Sequence, residues 1–261
     1  MGITPEPRYI LPMMMREAPS PSPDWCLFLD VDGTLIDFSD TPSPTRPDGA
    51  LNDLLDDVDR SLGGRLALVS GRTIANLDRL FTPRRFAAAG LHGLERRSAT
   101  GQLHRPDDTP DGIALARPAL RAFADRHPGV HLEDKGQTLA LHYRGAPRAE
   151  HAVRALLARV AAQLGGEFHV QEGSQVMELK PIRHTKATAV EAFLGEEPFA
   201  GCTPVFVGDD LTDRDGFRVV ERNGGISIAV GDRVRAQCRL EDTSAVRVWL
   251  RRVAAMDRSP G

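Results

Sequence analysis

Two carboxylates close an apolar run in Trp25-Cys26-Leu27-Phe28-Leu29-Asp30-Val31-Asp32-Gly33-Thr34. In an extended backbone, side chains alternate, so Asp30 and Asp32 share one side while Val31 faces away. Like charges that close repel unless a cation sits between them, and a hard ion such as Mg²⁺ takes carboxylate oxygens readily. Gly33 then permits the turn that ends the strand. The pair by itself also suits a strand with a solvated acidic edge.

Three more signals lie far along the chain, and each sits beside an expected strand or helix. They are Ser70-Gly71-Arg72, Lys186, and Gly208-Asp209-Asp210-Leu211-Thr212-Asp213. As a set they suit phosphoryl transfer. A carboxylate attacks phosphorus only when the charge on both partners is screened, and a divalent cation with a lysine supplies that screening. A serine hydroxyl and backbone N–H groups donate to phosphate oxygens. A second carboxylate protonates the leaving oxygen and then activates water. Taken singly, each has a plainer reading: a turn with Thr73 capping the next helix, a solvated lysine, and an acidic helix cap. Jointly and in this order they point to one site.

Such a site needs strands that deliver the residues to a common edge, as open parallel sheets do at the carboxyl ends of their strands. Leu51, Leu54, Leu55, Val58 and Leu62 fall at helical spacing. A strand is expected at 65–69, a helix up to 80 and a strand at 87–90. The rhythm resumes with a helix at 186–193, a strand at 204–207, a helix at 213–220 and a strand at 225–230. Val246, Trp249, Leu250 and Val253 mark a last helix. Strand and helix in alternation predict a parallel sheet with right-handed crossovers. Between these halves lie a helix at 113–126, strands at 130–133 and 138–142, a helix carrying Val153, Leu156, Leu157, Val160 and Leu164, and strands at 168–171 and 176–179. This is the pattern of an α+β module, expected at 103–181, inserted in an α/β core of residues 25–102 and 182–261. Residues 1–24 are proline-rich and read as a flexible lead-in, with Met13, Met14 and Met15 offering a later start.

With 261 residues the chain can bury one large or two modest cores. Lysine plus arginine number 33 against 36 acids, a formal charge of -3, so no basic excess draws nucleic acid or an anionic membrane. A small-molecule partner and a monomer are expected. Apolar runs fall short of the roughly 18 residues of a membrane span. Cys26, Cys202 and Cys238 are odd in number, lack metal-ligand spacing and read as reduced residues of a cytoplasmic protein.

The order Asp-x-Asp-Gly-Thr, Ser, Lys, Gly-Asp-Asp-x-x-Asp resembles the haloacid dehalogenase superfamily over nearly the whole chain after Asp24. That resemblance implies a Rossmann-like parallel-sheet core, and the insert is similar to a C2-type cap domain. Further strings narrow it: Ser70-Gly71-Arg72, Gly90-Leu91-His92-Gly93-Leu94-Glu95, Glu133-Asp134-Lys135-Gly136, His142-Tyr143-Arg144 and Val176-Met177-Glu178-Leu179-Lys180-Pro181. Together with the last acidic motif they resemble the trehalose-6-phosphate phosphatase family.

This second resemblance implies a Mg²⁺-dependent phosphatase acting on a sugar phosphate, with Asp30 as nucleophile and Asp32 as general acid and base. The side chains of Asp30 and Asp209 and the backbone carbonyl of Asp32 would hold the metal, supported by Asp210 and Asp213. Ser70, Arg72 and Lys186 would bind the phosphoryl group, while Glu133, Lys135, Arg144 and Glu178 would grip sugar hydroxyls from the cap. His92 and His142, taken singly, read as structural histidines. Relatives often carry Gly-x-Asp-Lys-Gly at the third motif, whereas Ile182-Arg183-His184-Thr185-Lys186-Ala187 keeps only the lysine. Alternatives are a sucrose- or mannosylglycerate-phosphate phosphatase, a phosphomutase of the same fold, and a sugar-phosphate sensor domain.

Overall fold

The computed structural model describes residues 15–37, 49–105 and 112–256. Among the described residues, thirteen strands fall into two sheets. The larger contains β1 (Arg16–Glu17), β2 (Trp25–Leu29), β3 (Leu66–Val69), β4 (Ala87–Gly90), β5 (Glu95–Arg97), β6 (Leu103–His104), β11 (Thr203–Gly208), β12 (Ile226–Val230) and β13 (Cys238–Leu240). Their order is β1-β13-β12-β11-β2-β3-β4-β5-β6. Pairing is parallel from β1 through β4, and β5 and β6 add an antiparallel edge.

The strands of the sheet centre read as continuous apolar runs because both faces are covered. Leu27 and Leu29 of β2 pack with α1 (Gly49–Ser61), α2 (Ile74–Leu80) and α7 (Thr243–Ala254). Cys26 and Phe28 face α5 (Lys186–Leu194) and α6 (Arg214–Arg222) on the opposite side. Strand β2 lies between β11 and β3, where the chain winds outward in both directions. That is the switch point at which a doubly wound sheet opens a crevice.

The second sheet, in order β7-β8-β10-β9, is antiparallel and comprises β7 (His131–Asp134), β8 (Leu139–His142), β9 (Phe168–Gly173) and β10 (Val176–Pro181). Its apolar face carries Leu139, Leu141, Met177 and Leu179 against α3 (Gly112–Arg126) and α4 (Glu150–Gln163). Its other face is polar. In-register pairing sets Glu133, Ala140, Glu178 and Gln171 in one row across the four strands.

Two expectations are corrected in detail. Arg16–Glu17, inside the expected lead-in, pairs in parallel with Cys238–Arg239, and Trp249 Nε1 donates to Pro19 O at 3.0 Å. The lead-in is therefore partly pinned to the core, while residues 1–14 fall outside the described ones. The boundary expected at 103 comes one strand early, because Leu103–His104 still pairs with β5 and forms the edge of the large sheet. Short, charged strands such as Glu95–Arg97 carry no alternation of apolar side chains to announce them.

Candidate active site

Each acidic motif leaves the sheet at its carboxyl edge. Asp30 follows β2, its N–H bonded to Val207 O at 3.0 Å, and is 5% exposed. Gly33 takes φ 84°, which lets the chain fold back so that Leu35 and Ile36 N–H both reach Val31 O. This turn buries Thr34, whose Oγ1 donates to Asp209 Oδ1 at 3.4 Å. Asp209 follows β11 and Asp213 closes the next short turn, accepting from the Asp210 N–H at 2.9 Å through Oδ2.

Lys186 joins the strands. It is the first residue of α5, fully inside the protein, and its Nζ lies 2.6 Å from Asp30 Oδ1 and 2.6 Å from Asp213 Oδ1. Burial works against this charge, but the Asp213 and Asp30 carboxylates outweigh it and hold the ammonium above the usual lysine range. One oxygen from each of Asp30, Asp209 and Asp213 can be chosen so that all three lie within 4.8 Å of one another.

Three buried carboxylates around one lysine leave excess negative charge. Burial, then the neighbouring Asp213 and Asp209, push Asp30 well above the usual carboxylate range. Burial, with Asp213 and Asp210, pushes Asp209 up to about 6. An all-oxygen donor set short of positive charge fits a hard divalent cation. Asp213, expected to act from behind the ligands, stands as close to the group as Asp30 and Asp209 do.

Asp32 and Arg72 form a bidentate pair at 2.7 and 2.5 Å, with side chains about a third exposed. Ser70 is buried at the end of β3, beside β2, and its Oγ accepts the Arg72 N–H at 3.1 Å. From the cap, Lys135 Nζ reaches both Glu178 carboxyl oxygens at 3.3 Å, and Glu133 accepts from His142 Nε2 at 2.9 Å. That hydrogen bond holds Glu133 below the usual range, with the Lys135 and Arg72 charges adding to it. Arg144 does not join this row. It is exposed, four residues beyond Ala140, and its Nε donates to Gln175 Oε1 at 3.0 Å in the turn before β10.

A sequence model described as trehalose-phosphatase matches residues 28–244. The chain belongs to the trehalose-phosphatase family. A probable trehalose-phosphate phosphatase of Sinorhizobium fredii is 43% identical over 213 residues, covering 82% of this chain and 80% of the relative. The Escherichia coli trehalose-6-phosphate phosphatase is 40% identical over 241 residues, 90% of this chain and 89% of that protein. The fold agrees with that of the C-terminal domain of a C. albicans trehalose-6-phosphate phosphatase at TM-score 0.80 and 19% identity, over 92% of this chain and 99% of that one.

Family membership accounts for the Asp, Ser and Lys motifs but leaves several residues that the sequence did not single out for chemistry. Thr34 binds Asp209, and Arg233 Nη1 approaches Asp209 Oδ2 at 3.6 Å. His92 Nε2 comes from the core to within 3.9 Å of Glu178 Oε2. Lys180 shares the polar face with Glu178, as the two-residue spacing in Glu178-Leu179-Lys180 would have indicated.

Proposed function

We propose that this trehalose-phosphatase family member hydrolyses trehalose 6-phosphate to trehalose and phosphate through an aspartyl phosphate on Asp30. The observation that carries the reading is Lys186 bonded at once to Asp30 and Asp213 beside Asp209, beneath a cap row of Glu133 and Glu178. The phosphoryl end meets charge and the sugar end meets fixed hydrogen-bonding groups.

In this mechanism an Asp30 oxygen bonds to phosphorus as the bond from phosphorus to the sugar oxygen breaks, and the leaving oxygen takes a proton from Asp32. Water then surrenders a proton to Asp32 while its oxygen bonds to phosphorus, freeing Asp30 and phosphate. Lys186 orients Asp30 and neutralises the approaching anion. Ser70 and Arg72 take phosphate oxygens, and the cap excludes bulk water. Asp30, Asp209 and the Asp32 carbonyl would hold Mg²⁺, with Asp213 adjacent, and the ion supplies charge neutralisation on the phosphoryl oxygens. Glu133, Lys135 and Glu178 pair with sugar hydroxyls, rejecting esters that leave them unpaired. Three free cysteines fit a reducing compartment, the cytoplasm.

Phosphate release across trehalose, sucrose, mannosylglycerate and glucose phosphates, with and without Mg²⁺, tests the reading. Trehalose 6-phosphate should be preferred and Mg²⁺ required. Asp30→Asn should remove turnover while ligand binding persists. A preference for another ester sinks the substrate assignment, and unchanged turnover in Asp30→Asn sinks the nucleophile.

A further inference from the structure

The polar face of the cap extends past Glu178 to Lys180 and His169, which pair across β10 and β9. With His92 and Lys186 from the core they line a cavity of about 220 Å³ between core and cap. The chemistry described above makes no use of Lys180, His169 or His92.

All three are expensive as built. The Nδ1 atoms of His92 and His169 are buried without a hydrogen-bond partner among the described residues. Such atoms call for a ligand or water, because desolvation is otherwise uncompensated. Lys180 is 5% exposed, and its charge faces Glu178 and Asp215. His92 holds φ 58°, a left-handed conformation that a histidine adopts at some cost. Its ring lies over Gly71, where a β-carbon would stand 2.7 Å from Nε2. Strain at one residue and a missing side chain at another thus combine to seat this ring beside Glu178.

The charges in the cavity favour a neutral ligand. Burial and the Lys180, Lys186 and Lys135 cations keep His92 well below the ordinary histidine value, and burial with Lys180 lowers His169. Each neutral imidazole offers one donor and one acceptor. Burial brings Lys180 down to about 8. Asp30 and Asp213 already neutralise Lys186, and Glu172 from the cap and Asp215 from the core also line the cavity. Neutral imidazoles beside lysines set against carboxylates offer donors and acceptors together, which suits hydroxyls.

We propose that Lys180, His169 and His92 form a hydroxyl-binding subsite for the sugar ring that does not carry the phosphate. The subsite rests on the sugar-phosphate reading above and adds to it the power to tell two-ring from one-ring esters. It acts through binding, so its loss raises KM more than it lowers kcat.

The test compares kcat/KM for trehalose 6-phosphate with kcat/KM for glucose 6-phosphate in the full chain and in Lys180→Met, His169→Leu and His92→Asn. Asparagine tolerates the left-handed backbone at position 92, and a thermal melt verifies that each variant folds. The ratio should fall about tenfold in each variant, the effect of one hydrogen bond lost from a desolvated site, with the change in KM. Titration of wild type and variants with trehalose itself should show the same weakening. Equal losses on both substrates, or a ratio unchanged within about twofold, overturn the subsite. A wild-type preference for a one-ring ester overturns it too. A preference for another disaccharide phosphate defeats the proposed substrate alone, and the ratio is then read with that ester.

Discussion

At the residue scale, the site is an excess of buried acid waiting for positive charge. Asp209 illustrates the consequence for stability. Its folded value of about 6 lies above the ordinary 3.8, so the protonated form favours the fold. That contribution is fully present below pH 3.8 and is lost as pH rises through 6. A shift of this size is worth on the order of 3 kcal/mol before coupling to its neighbours is allowed for. A cation between the carboxylates removes the loss. The rise in Tm on adding Mg²⁺ should therefore be small near pH 4.5, grow through pH 6 and reach several degrees at pH 7.5. Differential scanning fluorimetry across that range checks it, and a shift independent of pH would contradict the cluster as the cation site. Asp32 faces a separate constraint. Arg72 occupies both its oxygens, so the proposed acid role requires Arg72 to turn toward the phosphoryl group and free them.

At the element scale, the start of α5 sets the position of Lys186. Thr185 Oγ1 accepts the Thr188 N–H at 3.3 Å, and Thr188 Oγ1 accepts the Thr185 N–H at 3.1 Å, a reciprocal cap immediately before the lysine. Thr185→Ala should cost about 1 kcal/mol, or roughly 2–4 °C in Tm, and lower kcat several-fold as Lys186 loses its fixed origin. A loss of stability with kcat intact would detach the cap from catalysis. This helix was legible in sequence because its apolar positions repeat at helical spacing, and so were β2, β3 and β11, buried on both faces. The edge strands were not. Glu95 and Arg97 are buried, yet by polar partners: Glu95 Oε2 accepts the Ile74 N–H at 2.9 Å, and Arg97 grips Asp78 at 2.7 Å and 2.9 Å. Spacing of apolar residues cannot report a burial satisfied by ion pairs. The same blindness left His92 reading as a structural histidine and His169 unremarked, because their proposed role depends on which elements meet across the cavity.

At the scale of the whole molecule, the chain brings two polar surfaces face to face, the carboxyl edge of the core sheet and the unpacked face of the cap sheet. Arg72 feels Glu133 across the gap, and His92 approaches Glu178 at 3.9 Å. A disaccharide ester cannot enter between such surfaces unless they part, and the reaction cannot exclude water unless they close again. The chain returns from cap to core through Ile182-Arg183-His184-Thr185, and Lys186 follows at once. A backbone change at this crossing would thus be adjacent to Lys186, which holds Asp30. Trehalose with Mg²⁺ and beryllium fluoride, as mimics of the two halves of the substrate, should hold the closed state. Hydrogen exchange should then slow in 176–186 and in 90–95, the segments that supply Glu178, Lys180, Lys186 and His92, while β12 and α7 stay unchanged. Either mimic alone should protect less, because each engages one surface. Protection absent from both segments, or spread evenly over the core, would refute closure as the step that assembles the site.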